Sequence, residues 1–229
     1  MKSISTIFKE SGSLIKENLH NVLISSILFN LACNLLAYCC GGIAVVLIVL
    51  PITFGFTVAF LQFVRNNQPI EVAQVTAPLK AKNYWGILTT YGWSVLYIAL
   101  WSLLFIIPGI YKALTYSLAP YIVAENPEIT GKAALKKSEE MMKGHIGKLL
   151  AIWGIFILAI YLIFFVLLWI VGIDIVVSAL FCWLPAVPYV LNMGLAILAS
   201  GLCLLVTPFY FIVMAKFYDE VKGAYEAAK

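Results

Sequence analysis

The residues best placed to do chemistry in this sequence are a few polar side chains inside long apolar stretches. Lys112 is the only charged residue between Tyr84 and Val123. The neutral and acidic candidates are Asn30, Asn34, Asn192 and Asp174. Ionisable groups are costly within a bilayer and commonly mark substrate paths there. These positions are therefore candidate ligand or hinge positions, and interhelical hydrogen bonds without a further role are the other interpretation of the asparagines.

Pro108 and Gly109 stand just before Lys112 and are predicted to interrupt a helix. A broken helix leaves backbone groups that lipid cannot satisfy, so these groups must meet protein, water or a ligand. Transporters commonly build midplane sites in this way. The alternative is a turn at the outer surface with Lys112 extending its ammonium group to the interface.

Motifs for enzymatic chemistry are absent from the sequence. It has no HExxH, GxSxG or phosphate-loop pattern and no close carboxylate pair in an apolar segment. His20 and His145 are far apart, and the five cysteines show no CxxC spacing. We therefore predict no enzyme activity, no metal site and no cofactor.

The composition is that of a membrane protein. Of 229 residues, 63% are hydrophobic and 11% are charged, whereas about a quarter of a soluble domain is charged. The net charge of +4 is not gathered into a basic, aromatic-rich tract, which argues against nucleic acid. Anionic membrane lipids are the predicted partners, and a homo-oligomer or a membrane-complex partner stays open.

Hydrophobic runs predict an all-α, polytopic transmembrane bundle of about six spans in one domain, arranged as three helical hairpins with amphipathic surface helices. The predicted parts are an interfacial helix at 1–20, hairpins at 22–64, 84–123 and 149–214, a cytoplasmic amphipathic helix within 124–148, and a cytoplasmic tail at 215–229. The turn of the second hairpin is predicted at Pro108-Gly109, or alternatively nearer Ser102. Residues 175–184 are too few to cross and are predicted to be interfacial or re-entrant.

Charge asymmetry predicts the orientation. Of the 15 basic residues, all except Lys112 fall on one side of a six-span arrangement. The positive-inside rule then places both termini in the cytoplasm of a bacterial cell, with Asp174 outside and Lys112 near the outer face. The amphipathic helix after Thr130 should contact anionic lipid through Lys132, Lys136 and Lys137.

The stretch from Leu100 to Leu150 resembles a bacterial integral membrane family known as domain of unknown function 975. The resemblance rests on IPGIYKA, YSLAPYI, ENP, ALKKS and MMKGH, and the ending TPFYFIVMAKFYDEV is similar too. More distantly, the same skeleton resembles the membrane domain attached to some glycerophosphoryl diester phosphodiesterases. The hydrolase domain is missing here, so the resemblance implies a membrane helix bundle and no hydrolysis.

We therefore expect a non-enzymatic protein of the cytoplasmic membrane that moves or accommodates a small or lipidic molecule. The alternative is an accessory protein, either a scaffold for a membrane complex or an immunity-like protector against membrane-active peptides. A cavity that reaches Lys112 or the asparagines would favour the first function. A closed bundle with an exposed apolar groove would favour the second.

Overall fold

The computed structural model describes residues 3–39, 43–67, 69–180 and 186–228, with side chains for 3–27, 29–30, 47–67, 69–71, 73–165, 169 and 206–228. Regular structure in these ranges is entirely α-helical, which confirms the predicted all-α class. The helices are α1 (Ile4–Glu17), α2 (Leu19–Cys39), α3 (Ile43–Asn66), α4 (Val72–Lys80), α5 (Tyr84–Leu104), α6 (Ile106–Tyr116), α7 (Ala119–Glu125), α8 (Lys132–Met142), α9 (Ile146–Leu180) and α10 (Ala186–Ala227).

Three helices in the described part of the chain are long and apolar enough to cross a membrane. They are α3 over Leu47–Asn66, α5, and α9 over Ile146–Phe165. Each belongs to a different predicted hairpin, and its partner in the chain is α2, the α6–α7 pair or α10. The helices α9 and α10 pack together along the third hairpin. The chain is thus suited to a membrane by composition and helix length.

The packed core lies where the three hairpins come together. One side of α3 buries Phe56, Phe60 and Phe63, and the Phe60 ring stacks on Phe211 of α10 at a centroid distance of 5.3 Å. A second cluster joins α6, α8 and α9 through Leu114, Met142 and Leu149. Each fully buried side chain of this size contributes about 1.5–3 kcal/mol relative to exposure. We call the region where the end of α3, α6, α8, the start of α9 and the end of α10 pack together the base.

Helix α1 is part of the base. Ser3 caps its first turn, because the Ser3 side chain accepts a hydrogen bond from the Thr6 amide. Ile7 is buried, and Phe8 packs edge-on against Phe209 at 5.4 Å. The helix that the sequence predicted to be interfacial therefore packs its apolar stripe against α9 and α10.

The second hairpin turns at Phe105, between the two positions that the sequence left open. Phe105 is extended, α5 ends just before it and α6 begins just after it. Gly109 then faces Ser102 so closely that a Cβ atom would collide with it. The turn thus lies midway between the two predicted positions, three residues after Ser102 and three before Pro108, and Pro108 lies in the first turn of α6, as the alternative prediction had it.

Two segments between the predicted hairpins have well-defined contacts. The 65–83 segment contains α4, which packs closely on α3 at Gly55. Helix α8 begins after Gly131 and not at a Thr130 cap. Gly131 has φ of 58°, a conformation that glycine adopts readily, and its amide donates a 2.7 Å hydrogen bond to Thr90 Oγ1.

Candidate functional site

A network of charged side chains centred on Glu125 ties three segments of the base together. Arg65 at the end of α3 donates to Glu125 at 2.6 Å and also binds Asp219 of α10. Tyr218 Oη donates to the other Glu125 oxygen at 2.8 Å, and Lys222 Nζ does so at 2.7 Å. The Glu125 side chain is only 14% exposed. Such charge-assisted hydrogen bonds are the stronger kind in proteins.

The electrostatics of Glu125 follow from this shell of donors. Burial alone would raise the pKa of its carboxyl group, but hydrogen bonds from Lys222, Tyr218 and Arg65 lower the pKa below the ordinary value. Burial and the hydrogen bond to Glu125 raise the pKa of the Tyr218 hydroxyl. Glu125 therefore stays ionised and Tyr218 protonated near neutral pH. This suits an ion-pair network that stabilises the fold better than it suits proton transfer.

Two further ion pairs connect the remaining charged segments to the base. The Lys216 ammonium group of α10 forms an ion pair with the Glu10 carboxylate of α1 at 3.4 Å. Lys112 of α6 binds Glu139 of α8 at 2.8 Å. The N-terminal helix, the end of α3, the 125–148 segment and the C-terminal part of α10 therefore meet at one end of the molecule.

Lys112 contacts α8, although the sequence predicted Lys112 near the outer face and α8 in the cytoplasm, so the two predictions are incompatible. Its ammonium group pairs with Glu139, a residue of the segment predicted to be cytoplasmic. It also lies 5.4 Å from the Tyr116 ring centroid, a cation–π contact. Lys112 is not among the residues that line the apolar groove described below. It is a paired side chain between α6 and α8, not a free cation aimed at a ligand.

Pro108 lies in the first turn of α6, just after the helix break. The first-turn amides of a helix have no intrahelical acceptor, so a proline there removes a donor that would otherwise be unpaired. The Gly109 amide reaches Phe105 O at 3.4 Å. Pro108 and Gly109 thus allow a tight turn and a close helix pair.

An open apolar groove lies beside α1, where α1 meets α9 and α10. Its volume is about 410 Å³. The groove is lined by Phe8, Gly12, Ile15, Lys16, Ile155, Phe156, Ala159, Val206 and Phe209. Lys16 is its single charged lining residue among those described, and it is exposed. An apolar channel with one cation at its edge matches the shape and charge of an anionic amphiphile.

The other predicted positions are distributed over the fold. Asn30 donates to Ser26 O at 2.9 Å within α2, consistent with a structural role. The side chains of Asn34, Asp174 and Asn192, and the 181–185 part of the predicted re-entrant piece, lie outside the described residues. Lys132 and Lys136 are exposed on α8, Lys137 is partly exposed, and Lys132 lies 4.0 Å above the Trp93 ring.

Sequence reasoning missed Glu125, Arg65, Asp219, Tyr218 and Lys222 as a group. The sequence did indicate one of these pairs, because Arg65 and Asp219 each lie at the edge of an apolar run. Charged residues at the ends of two different helices can pair with each other. Within the described residues no three His, Cys, Asp or Glu side chains are arranged to hold a metal ion.

Comparison with known proteins finds no matching family model, curated protein or solved structure. The resemblance to domain of unknown function 975 therefore stays a prediction.

Proposed function

We propose that this chain is a multi-pass protein of the bacterial cytoplasmic membrane that accommodates a lipidic molecule and performs no enzymatic reaction. The observation that supports this most is the groove between α1, α9 and α10. It is apolar along its length, and its size falls within the usual range for small-molecule sites, about 300–1,000 Å³.

The position of the groove favours an acyl chain over a water-soluble ligand. Ile155 at its edge is 45% exposed, and α9 also exposes Leu158 and Phe165. Apolar side chains exposed in this way on a candidate span are suited to lipid. A lipid could therefore enter sideways from the bilayer, with its acyl chain beside Phe8 and its anionic group at Lys16.

The charged base supports the proposed orientation. Four basic or acidic segments meet there through ion pairs, so an even number of crossings separates each from the next. The positive-inside rule then places the base and both termini in the cytoplasm. Six crossings would require every hairpin to traverse the hydrocarbon, whereas the second hairpin carries Lys112, which pairs with Glu139 of the charged helix α8.

Filling the groove tests the proposal. A Cβ at Gly12 meets no atom within 4 Å, so Gly12→Leu should occupy the groove without distorting α1. The purified variant should retain less lipid in native mass spectrometry than the wild type does. Gly223→Leu is the matched control, because Gly223 is a helical glycine with equal space and is not among the groove-lining residues. Equal lipid retention in both variants would reject the groove as the lipid site.

An accessory function is the second candidate, since an open apolar groove also fits a single helix of another membrane protein. In that case Gly12→Leu would abolish co-purification of a partner while leaving bound lipid unchanged. The two functions are thus separated by the same pair of variants.

A further inference from the structure

The tip of the second hairpin is the most exposed apolar surface in the described part of the chain. Leu103 is 83% exposed and Ile107 is 80% exposed. The intervening Leu104, Phe105 and Ile106 are exposed to a similar degree. A contiguous surface of this kind is avoided in water and marks contact with membrane or protein.

We infer that this tip inserts into the cytoplasmic leaflet of the bilayer and stops near the midplane, so that the second hairpin does not cross the membrane. The lipid acyl chains of that leaflet would be its partner. The inference rests on the proposed cytoplasmic position of the base, and it replaces the third and fourth of the six predicted spans.

Helix α8 indicates where along this hairpin the hydrocarbon core ends. Helix α8 packs against both arms, since Lys132 lies over Trp93 of α5 and Ser138 donates a 2.6 Å hydrogen bond to Thr115 O of α6. Its outer face exposes Lys132, Lys136, Glu140 and Lys143. Charged side chains facing lipid are costly in the hydrocarbon, so this face must lie in the headgroups or in water.

The distance from α8 to the tip is too short for a crossing. The two arms run antiparallel, with Tyr97 beside Tyr116 and Ser102 beside Gly109. At about 1.5 Å per residue, Leu104 lies about 16 Å beyond Trp93, and Ile106 lies about 9 Å beyond Lys112. The hydrocarbon core is about 30 Å thick. The tip therefore reaches roughly the middle of the bilayer, although α5 alone has the length and composition of a span.

The turn itself is built to tolerate lipid. A single extended residue, Phe105, joins the helices, and its amide donates to Trp101 O at 3.0 Å. Its carbonyl accepts from the Gly109 amide, and Pro108 has no amide hydrogen to satisfy. The Phe105 amide and carbonyl are thus satisfied within the turn, and Pro108 removes one further donor, which reduces the number of polar backbone groups exposed to lipid. The exposed lysines of α8 would at the same time contact anionic headgroups around the point of entry.

Depth measurements on single cysteines test the inference. Phe105→Cys and Ile107→Cys in a cysteine-free background are labelled with a fluorophore and reconstituted in vesicles that contain lipids with a nitroxide quencher at a chosen depth. We expect the strongest quenching at both positions from a nitroxide deep in the acyl chain. Lys136→Cys, on the exposed face of α8, should instead be quenched most by a headgroup nitroxide.

Oriented vesicles decide between one leaflet and a crossing. A membrane-impermeant quencher should fail to reach Phe105→Cys from either side. Quenching from the extracellular side would show a crossing and overturn the inference, while leaving the lipid groove intact. Quenching from the cytoplasmic side would show a tip in water and overturn it as well. Unchanged melting of both labelled variants serves as the check on folding.

Discussion

Replacing Glu125 by glutamine should destabilise the protein, because Glu125 is the acceptor that holds the base together. The substitution keeps the side-chain shape but removes the charge, and it turns an amide toward three donors. Losing one partner of a buried pair costs about 3–5 kcal/mol. Arg65 and Lys222 are a third exposed, and Arg65 keeps Asp219, so we expect a smaller loss of about 2–3 kcal/mol after solvent screening.

Thermal unfolding in detergent measures this loss. For a chain of this size 1 kcal/mol corresponds to about 2–4 °C, so the melting temperature should fall by roughly 4–12 °C. Glu128→Gln is the control, because Glu128 is an exposed carboxylate three residues further on. A Glu125→Gln variant that melts with the control would refute the view that this network secures the base.

The pH dependence gives a second readout of the same substitution. The pKa of Glu125 is lower in the folded protein than its ordinary value. Its contribution to stability is therefore complete above the ordinary carboxyl pKa, about 4.3, and is lost as the pH falls through the folded value. The wild type should lose more stability on acidification across this window than Glu125→Gln does. Parallel curves for the two proteins would contradict the assignment.

Further predictions concern the second hairpin, its supports and α8. Gly109→Ala should lower the free energy of unfolding by about 1–3 kcal/mol through its collision with Ser102, whereas Gly92→Ala, in open space, should not, as chemical denaturation would show. Gly131→Ala should cost about 1–2 kcal/mol because of its positive φ, and an unchanged denaturation midpoint would disprove the strain. Lys112→Met should destabilise the protein by an amount that largely disappears in a Glu139→Gln background. Changing Lys132, Lys136 and Lys137 together to Gln should weaken binding of α8 to anionic but not to neutral liposomes, measured as protection from protease.

Much of the fold could be predicted because apolar runs and charge spacing are local properties of the chain. The helices at 43–66, 84–104 and 146–165 follow directly from long stretches without charge. The break near Pro108 was also visible, but its exact place depended on Gly109 meeting Ser102 across the hairpin. Contacts of this kind are set by tertiary packing, which hydrophobic periodicity does not report.

The charged residues were harder to interpret than the apolar ones. Lys112 stood alone in the sequence, so it looked like a ligand-binding cation, whereas in three dimensions Glu139 neutralises it. Glu125 looked like one of many loop charges, and its importance comes from Arg65 and Lys222, which lie far away in the chain. The residues next to a side chain in the sequence therefore indicate whether it lies in an apolar or a polar segment. They do not identify the residue with which it pairs.

We propose that α1, the end of α3, the 125–148 segment and the end of α10 gather in one base on the cytoplasmic side. Single cysteines at Lys136 and Ala228, both exposed, in a cysteine-free background test this placement. Ser138 is unsuitable because it is fully buried, and a cysteine there would report burial. An impermeant thiol reagent should label both positions in inside-out membrane vesicles and neither in right-side-out vesicles. Labelling of either position in right-side-out vesicles would place that segment outside the cell and reject the cytoplasmic base.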